Sequence, residues 1–455
     1  MASKKDLTEA QSFSRRRLLT AFTSGASGTK ELEPAKPLRT VVAGLALSAL
    51  VVVGGAFYGL VSPGLPDEWE HNRLVLATDT GGRFVSADGT LFPVLNTASA
   101  RLLIPADDFS IVTTKAALLA DLPVGPSLGI VGAPDQLPGS GELIGTGWTA
   151  CLGEDASTVL TISADPVAAS AGSAVVVSTS AGLSVVAGGR HYPLPTDHAD
   201  AVLRALGLGD APRLSVDGRW VNLFRTGTAL SPMIVPDAGQ PLAGTTLPAG
   251  QVVHVAGSPP EQRFLLNADG TLASISPLAY QLYLLGTGAQ LGTAVEVGAT
   301  ELAEFTNAGY PAGAADWPEQ ALDVQQGTAC ALLATIDGSP ATVLAAAEGG
   351  EDATARAVPV TSDGAVWMDP GAGSVVRADT GEQAATVLYL IDSTGTAFPV
   401  QDDPETLHRL GYQEEDVADV PAPWLQLLPV GPGLSTAAAG TPVAAGSAGT
   451  AAGEG

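Results

Sequence analysis

Two cysteines, Cys151 and Cys330, are the side chains best suited to covalent chemistry, and each closes a Thr-Ala-Cys tripeptide (149–151 and 328–330). No CxxC pair occurs and no histidine lies within a few residues of either, so neither a zinc site nor a dithiol redox motif is indicated. Two states remain, a disulfide or a pair of free thiols, and the reading favours the disulfide. Closing about 180 residues, it would stabilise the fold by roughly 5 kcal/mol on the chain-entropy model. Such a bridge staples architecture and does no catalysis.

Other constellations are weaker. A phosphate-cradling loop needs Lys after Gly, and no lysine here follows a glycine; Lys115 follows Thr113-Thr114. No strand–nucleophile–helix elbow, HExxH or EF-hand loop is read. His191 has Asp197 and His198 nearby in sequence, which could make an acid–base pair, but a strand-edge histidine beside a helix cap is the favoured reading. His71 and His254 stand alone in sequence, and Asp392, Asp402 and Asp403 fall at a turn and a helix start. The expectation is a chain without catalytic, cofactor or metal residues, hence not an enzyme.

The elements that carry these residues divide the 455-residue chain sharply. Val41–Val61 is a charge-free apolar run, long enough at the helical rise to cross a bilayer core of roughly 30 Å. Before it lie eight basic residues (Lys4, Lys5, Arg15, Arg16, Arg17, Lys30, Lys36, Arg39) against four acids. Positive-inside orientation puts the N-terminus in the cytoplasm and the remainder outside. A cleaved signal peptide is the rival, since Arg15-Arg16-Arg17 resembles a twin-arginine signal. The apolar run starts too far downstream and lacks an Ala-x-Ala site, so an uncleaved anchor is preferred.

Residues 1–40 open with Thr8-x-x-Gln11, a capping-box pattern, and continue with Phe13, Leu18, Leu19 and Phe22 among the arginines. They read as a short basic amphipathic helix that either lies on the inner leaflet, docks on a cytoplasmic partner or is merely topogenic. Net charge is −26, and the region after the span has a single lysine. That surface repels nucleic acid. With 54 Gly and 33 Pro and few helix-period runs, the external region reads as turn-rich and mainly β, with short helices.

Four segments of that region repeat one pattern: FVSADGTLFPVLNTASARLL from Phe84, LSVVAGGRHYPLPTDHADAVLRALG from Leu183, FLLNADGTLASISPLAYQLYLLG from Phe264 and YLIDSTGTAFPVQDDPETLHRLG from Tyr389. Each gives an apolar strand, a polar Gly turn, a second strand and a helix. Asp88-Gly89 and Asp269-Gly270 suit tight turns needing positive φ. Thr196-Asp197 and Ser276-Pro277 suit helix starts. LPVGPSL from Leu122 and LPVGPGL from Leu428 close the first and last units in nearly the same words. Phe84 to Cys151 and Phe264 to Cys330 are almost equally long, so the external region reads as a duplicated half with a quasi-twofold axis near the cysteines. The expected organisation opens with a basic segment (1–40), a transmembrane helix (41–61) and repeat 1 (62–132). The first stretch of a central β-domain (133–180), repeat 2 (181–230) and a linker (231–261) follow. Repeat 3 (262–312), the second stretch of the central β-domain (313–385), repeat 4 (386–435) and a disordered tail (436–455) complete the chain. Trp148 reads as core, Trp424 as packing before the last closure, and Trp69 as an anchor at the outer interface.

The arginine-rich segment before one span, VLNTASARLL from Val94, GIVGAPDQLPG from Gly129 and Trp148-Thr-Ala-Cys151 together resemble EccB, a core membrane component of type VII secretion in actinobacteria. The resemblance implies an elongated periplasmic region of four repeats around a central β-domain, with Cys151 and Cys330 bonded. It also implies assembly with the EccC ATPase, EccD, EccE and the mycosin protease, self-association, and docking on cytoplasmic partners through Phe13, Arg15, Arg16, Arg17, Leu18 and Phe22. The expected function is structural, a subunit of the secretion membrane complex in the inner membrane. A membrane-anchored cell-wall-binding protein is the alternative.

Overall fold

The computed structural model describes residues 4–24, 37–60, 65, 68–153, 157–170, 172–347, 358–361, 364–379 and 387–443. It divides into two units, Met1–Gly64 and Leu65–Gly455.

The first unit holds two helices. Lys4–Ser24 starts four residues before the expected box: Lys4 to Leu7 already helicise, and the Thr8 hydroxyl donates back to the Lys4 carbonyl at 3.0 Å instead of capping. Pro37–Leu60 begins on a proline, which needs no hydrogen-bonded N–H at the first turn, and runs 24 residues. The expected span 41–61 falls in this helix except for Val61, which lies outside the described residues. Side chains are described over 41–54, and among the described residues no helix is long and apolar enough to cross a membrane.

In the second unit one sheet order recurs four times. The first outer sheet pairs Arg73–Ala77, Gly82–Ala87 and Thr90–Pro93 as an antiparallel meander; the helix Thr97–Leu103 then returns the chain to Ile111–Thr114, parallel to the first strand. The same path is taken by Ser173–Thr179, Gly182–Ala187, Arg190–Pro193, the helix Ala199–Ala205 and Arg213–Ser215. A third copy runs Val252–Val255, Arg263–Leu266, Thr271–Ile275, the helix Pro277–Leu285 and Val295–Val297. The fourth is Ser374–Asp379, Leu388–Ile391, Ala397–Val400, the helix Pro404–Leu410 and Ala418–Pro421. Three opening strands therefore lie outside the ranges expected for their repeats: 173–179 and 374–379 in stretches assigned to the central domain, 252–255 in the linker.

The turns and caps explain these units locally. Asp88 and Gly89 both take positive φ, 48° and 73°, as a two-residue hairpin requires. The third hairpin differs, with positive φ only at Gly270, while the Asp269 carboxylate accepts from the Thr271 amide at 3.0 Å and hydroxyl at 2.7 Å. Ser276 caps its helix from the Ala279 amide at 3.1 Å, with Pro277 in the first turn. Thr196-Asp197 does not cap: the N-cap is His198 and makes no side-chain capping bond.

A six-stranded central sheet joins the halves, in the order Ser339–Ala347, Thr328–Ile336, Thr149–Leu152, Thr158–Ile162, Gly364–Met368, Val358–Thr361. Over it lie Trp148, Trp220 and Trp424, all fully buried. Their indole N–H groups donate to the Ile144 carbonyl, the Ala150 carbonyl and the Thr342 hydroxyl respectively. Away from this core, the helices of the first and fourth outer sheets pack together through Leu102 and Leu407, and those of the second and third through Leu203 and Leu282.

Trp69, expected at the outer interface, is half-buried and packs against the cluster of Val75, Ala77, Leu91 and Leu119 on the first outer sheet. One expectation is corrected. The stretch 436–443 is no tail: Ser435 caps the helix Thr436–Ala439, Ala439 is fully buried against the first repeat's helix, and Pro442 bridges to Leu128. Small residues let this short helix approach closely enough to order it. Residues 444–455 lie outside the described set.

Candidate functional site

At the centre of the sheet Cys151 faces Cys330 in antiparallel register. The two form a disulfide with Cα atoms 4.0 Å apart across a sequence separation of 179. Because identical tripeptides meet cysteine to cysteine, a local twofold axis passes through the pair. Cys330 is fully buried, and Ala345, Leu332 and partly buried Val167 close around it. A bonded cystine, with Cys330 buried and Cys151 half-buried, is neither a nucleophile nor a metal ligand, and its chemistry here is covalent joining.

The histidines and acids are held structurally. His191 shares its Nε2 with the Thr226 hydroxyl at 2.9 Å, and its Nδ1 is buried without a partner. Burial pushes its pKa below the ordinary value. Asp197 instead faces His198 at 3.3 Å on an exposed surface, so the imagined acid–base pair is not built. His71 and His254, alone in sequence, each meet a carboxylate, Asp88 at 3.2 Å and Glu296 at 3.5 Å. Asp392 closes a turn by accepting from the Thr394 and Thr396 amides, Asp403 caps its helix from Thr406, and Asp402 approaches Arg377 at 3.7 Å. Among the described residues no group of three or more His, Cys, Asp or Glu could hold a metal ion.

Gly125-Pro126-Ser127-Leu128-Gly129 nonetheless spells Gly-x-Ser-x-Gly. No helix follows it, and Ser127 sits between the bridge residues Val124 and Leu128, its carbonyl accepting from the Val443 amide at 2.9 Å. It is not an elbow.

A cluster invisible in sequence lies around Asp316. Its Oδ2 accepts from the Thr228 amide at 2.8 Å and stands 3.9 Å from Arg190; its carbonyl accepts from the Tyr192 hydroxyl at 2.8 Å. Trp317 donates to the Thr228 carbonyl at 3.1 Å. Burial pushes the Asp316 carboxyl up, but the hydrogen bonds from Thr228 and the charge of Arg190 outweigh it and hold the pKa below the ordinary value. This network ties the second repeat to the segment entering the central sheet, across 88 residues of sequence that no local pattern spans. Beside it opens a cleft of about 740 Å³, lined by Arg190, Arg225, Glu319 and Asp379 with backbone from Gly188 and Gly189. It combines hydroxyls (Ser173, Thr342) and carboxylates (Glu319, Asp379) with no histidine or cysteine among its lining residues.

The residues expected to dock on cytoplasmic partners all lie on the helix Lys4–Ser24. Phe13, Leu18 and Phe22 are exposed, Phe22 to 94 %, as are Arg15, Arg16 and Arg17. At about 100° per residue Leu7, Leu18 and Phe22 share one side, whereas Phe13 lies about 180° from Phe22. The apolar residues thus occupy two faces rather than the single stripe expected of an amphipathic helix.

Residues 1–444 match the family model described as type VII secretion system ESX-1, transport TM domain B, which goes by EccB. The chain belongs to the EccB family. Among curated EccB relatives, the ESX-3 secretion system ATPase EccB3 of Mycobacterium tuberculosis is 27% identical over 88% of this chain and 83% of its own length. The ESX-2 secretion system ATPase EccB2 of the same species is 26% identical over 96% of this chain and 94% of its length. Solved structures share the fold. A chain of an intact ESX-5 inner membrane complex aligns with a TM-score of 0.66 at 23% identity, over 97% of this chain and 96% of that one. A chain of the EccB3 dimer from the ESX-3 core complex aligns at 0.64 and 25% identity, over 81% and 99%.

Proposed function

We propose that this EccB chain is a structural subunit of a type VII secretion inner membrane complex, anchored by Pro37–Leu60 as a single span with residues 1–36 cytoplasmic and the second unit periplasmic. The family match over residues 1–444 carries the reading, since it takes in the basic helix, the apolar helix and the whole stapled region together. In this reading the four outer sheets are four repeat domains around the central sheet. The helix Lys4–Ser24 docks on cytoplasmic regions of partners of the EccC, EccD and EccE types, and the periplasmic unit meets further copies of the chain and a mycosin-type protease.

Relatives carry the name ATPase, yet the chemistry supports a non-enzymatic role. No lysine follows a glycine, and Lys115 is an exposed residue at the start of a 3₁₀ turn rather than in a phosphate-cradling loop. Purified protein incubated with Mg-ATP should release no phosphate above a no-protein control. The deciding experiment is a mild-detergent pull-down of tagged full-length protein from native membranes with mass spectrometry. An FtsK-like ATPase and a polytopic membrane subunit should co-purify; recovery of this chain alone would overturn the reading in favour of a cell-wall anchor.

A further inference from the structure

The strands that the helical crossovers add to the four outer sheets, Ile111–Thr114, Arg213–Ser215, Val295–Val297 and Ala418–Pro421, each lie at an edge. An open edge presents unpaired amides and carbonyls to any extended chain, and proteins ordinarily blunt it with a charge or a proline. Three of the four do so. Arg213 pairs with Asp200 at 2.6 Å, Glu296 faces His254 at 3.5 Å, and Ala418–Pro421 carries Asp419 and ends on proline. Ile111-Val-Thr-Thr114 carries neither device.

This first edge is also open in its backbone. The Leu74 amide donates to the Ser110 carbonyl at 3.0 Å and the Thr78 amide to the Thr114 carbonyl at 2.9 Å, with Leu74 opposite Ile111 in parallel register. Positions 110, 112 and 114 thus bond inward, and alternation turns the amides and carbonyls of Ile111 and Thr113 outward. Both residues are exposed, Ile111 to 54 %. Val112, between them, packs against Val75, Ala77, Leu91 and Leu119 and fixes the strand in place. Ile234 and Tyr310 are exposed as well, but they lie outside strands and offer no such row.

The two ends of the edge differ in charge. Asp107 and Asp108, both exposed, precede the strand. Arg73 beside them is already engaged, by Glu68 at 3.5 Å and by the Asp108 carbonyl at 2.7 Å. Lys115 follows the strand, but the Asp79 carboxylate sits 2.9 Å from the next amide, that of Ala116, and offsets its charge. The edge therefore suits a cation at the Asp107 end and has no net positive charge at the other. A second copy of this chain would bring its own Asp107 and Asp108 to an end with nothing to receive them. We infer, independently of the secretion reading, that Ile111–Thr114 is a strand-addition site for an extended segment of another protein. That segment is neutral and β-branched in its middle and carries Lys or Arg at the end facing Asp107 and Asp108. Main-chain hydrogen bonds to Ile111 and Thr113 supply the affinity, and the carboxylates fix which end lies where.

Full-length protein in mild detergent and a fluorescein-labelled peptide, Arg-Arg-Thr-Val-Thr-Val-Thr amide, test this by fluorescence anisotropy. The peptide should bind, and a counterpart with Glu-Glu in place of Arg-Arg should bind several-fold more weakly. N-methylation of one alternate set of its amides should abolish binding and that of the other set should not, because one edge of the peptide pairs. That readout leaves the protein unaltered, so it holds even where a variant misfolds. Thr113→Pro removes an outward amide and should weaken binding several-fold at an unchanged melting temperature. Ser215→Pro, on the second sheet's edge with its amide likewise turned outward, should leave binding as it was. Asp107→Lys should abolish the preference for the basic peptide. No binding to the unaltered protein, equal tolerance of both N-methylation patterns, or equal damage from Ser215→Pro would overturn the site. Self-association lost in Thr113→Pro, with no peptide bound by the unaltered chain, would give the edge to a second copy and overturn it too.

Discussion

The ring of Phe92 lies over Gly125 so closely that a Cβ on the glycine would come within 2.4 Å of it. The relationship recurs wherever the chain leaves the helical crossover and returns to the third strand of an outer sheet. Gly227 faces Tyr192 at 2.5 Å and Gly431 faces Phe398 at 2.3 Å, and each glycine amide donates to the residue before the aromatic. In the third repeat the Ala308 amide makes the same bond, to Leu272, and the residue after Leu272 is Ala273. Two alanines stand there in place of an aromatic and a glycine.

Gly125→Ala and Gly431→Ala should each destabilise the second unit by about 1–3 kcal/mol, because the added methyl meets a packed ring. Ala308→Gly should cost about 0.5–1 kcal/mol, the entropic penalty alone. Chemical denaturation of residues 65–455 compares the three; equal costs would remove the ring from the explanation.

Replacing both cysteines with alanine should lower stability by about 2–5 kcal/mol. Because the pair sits in the middle of the central sheet, reductant should lower the melting temperature of the unaltered protein and leave that of the double variant where it is. Thermal melts with and without dithiothreitol give the answer.

Stability should fall on acidification in two windows. His191 has its folded pKa held below the ordinary 6.5, so the fold prefers it neutral. Its contribution is complete above 6.5 and declines as pH drops through that value toward the lower folded one. Asp217 is held below its ordinary 3.8, chiefly by the side-chain hydrogen bond from Arg219, and its contribution is lost only as pH falls through the folded value, below 3.8. Melting temperatures of His191→Gln between about pH 7.5 and 5, the span in which a histidine changes charge, should decline less than those of the unaltered chain.

Phe22→Ala with Arg16→Ala should reduce recovery of cytoplasmic-side partners several-fold in a native-membrane pull-down. The melting temperature of the second unit should not move, since these residues belong to a separate unit. Undiminished recovery would remove docking from this helix.

Much of this is legible in the sequence where local chemistry decides. Asp88-Gly89 spells a two-residue turn and Ser276-Pro277 a capped start, because both depend on backbone preferences within a few neighbouring residues. The matching Thr-Ala-Cys tripeptides mark Cys151 and Cys330 as equivalents. Partners far apart in sequence leave no such mark. Val252–Val255 reads as linker until its parallel partner Val295–Val297 is known, and the opening strands at 173–179 and 374–379 are displaced for the same reason. The segment 436–443 looks too small and polar to order itself, and what orders it is the helix Thr97–Leu103, more than three hundred positions earlier. The Asp316 network hides in the same way.

The cystine at the twofold has a consequence for how the molecule comes into being. The strand bearing Cys330 enters the sheet directly beside the strand bearing Cys151, and the fourth repeat's helix packs on the first repeat's. Strands from the two halves of the chain interleave in one sheet. Neither half can complete that sheet until the other has been synthesised, so the first must wait, half-built, for the second. Contacts this distant in sequence fold slowly. Carrying both halves on one chain offsets that delay by fixing their stoichiometry at one to one and tying them together before the sheet forms.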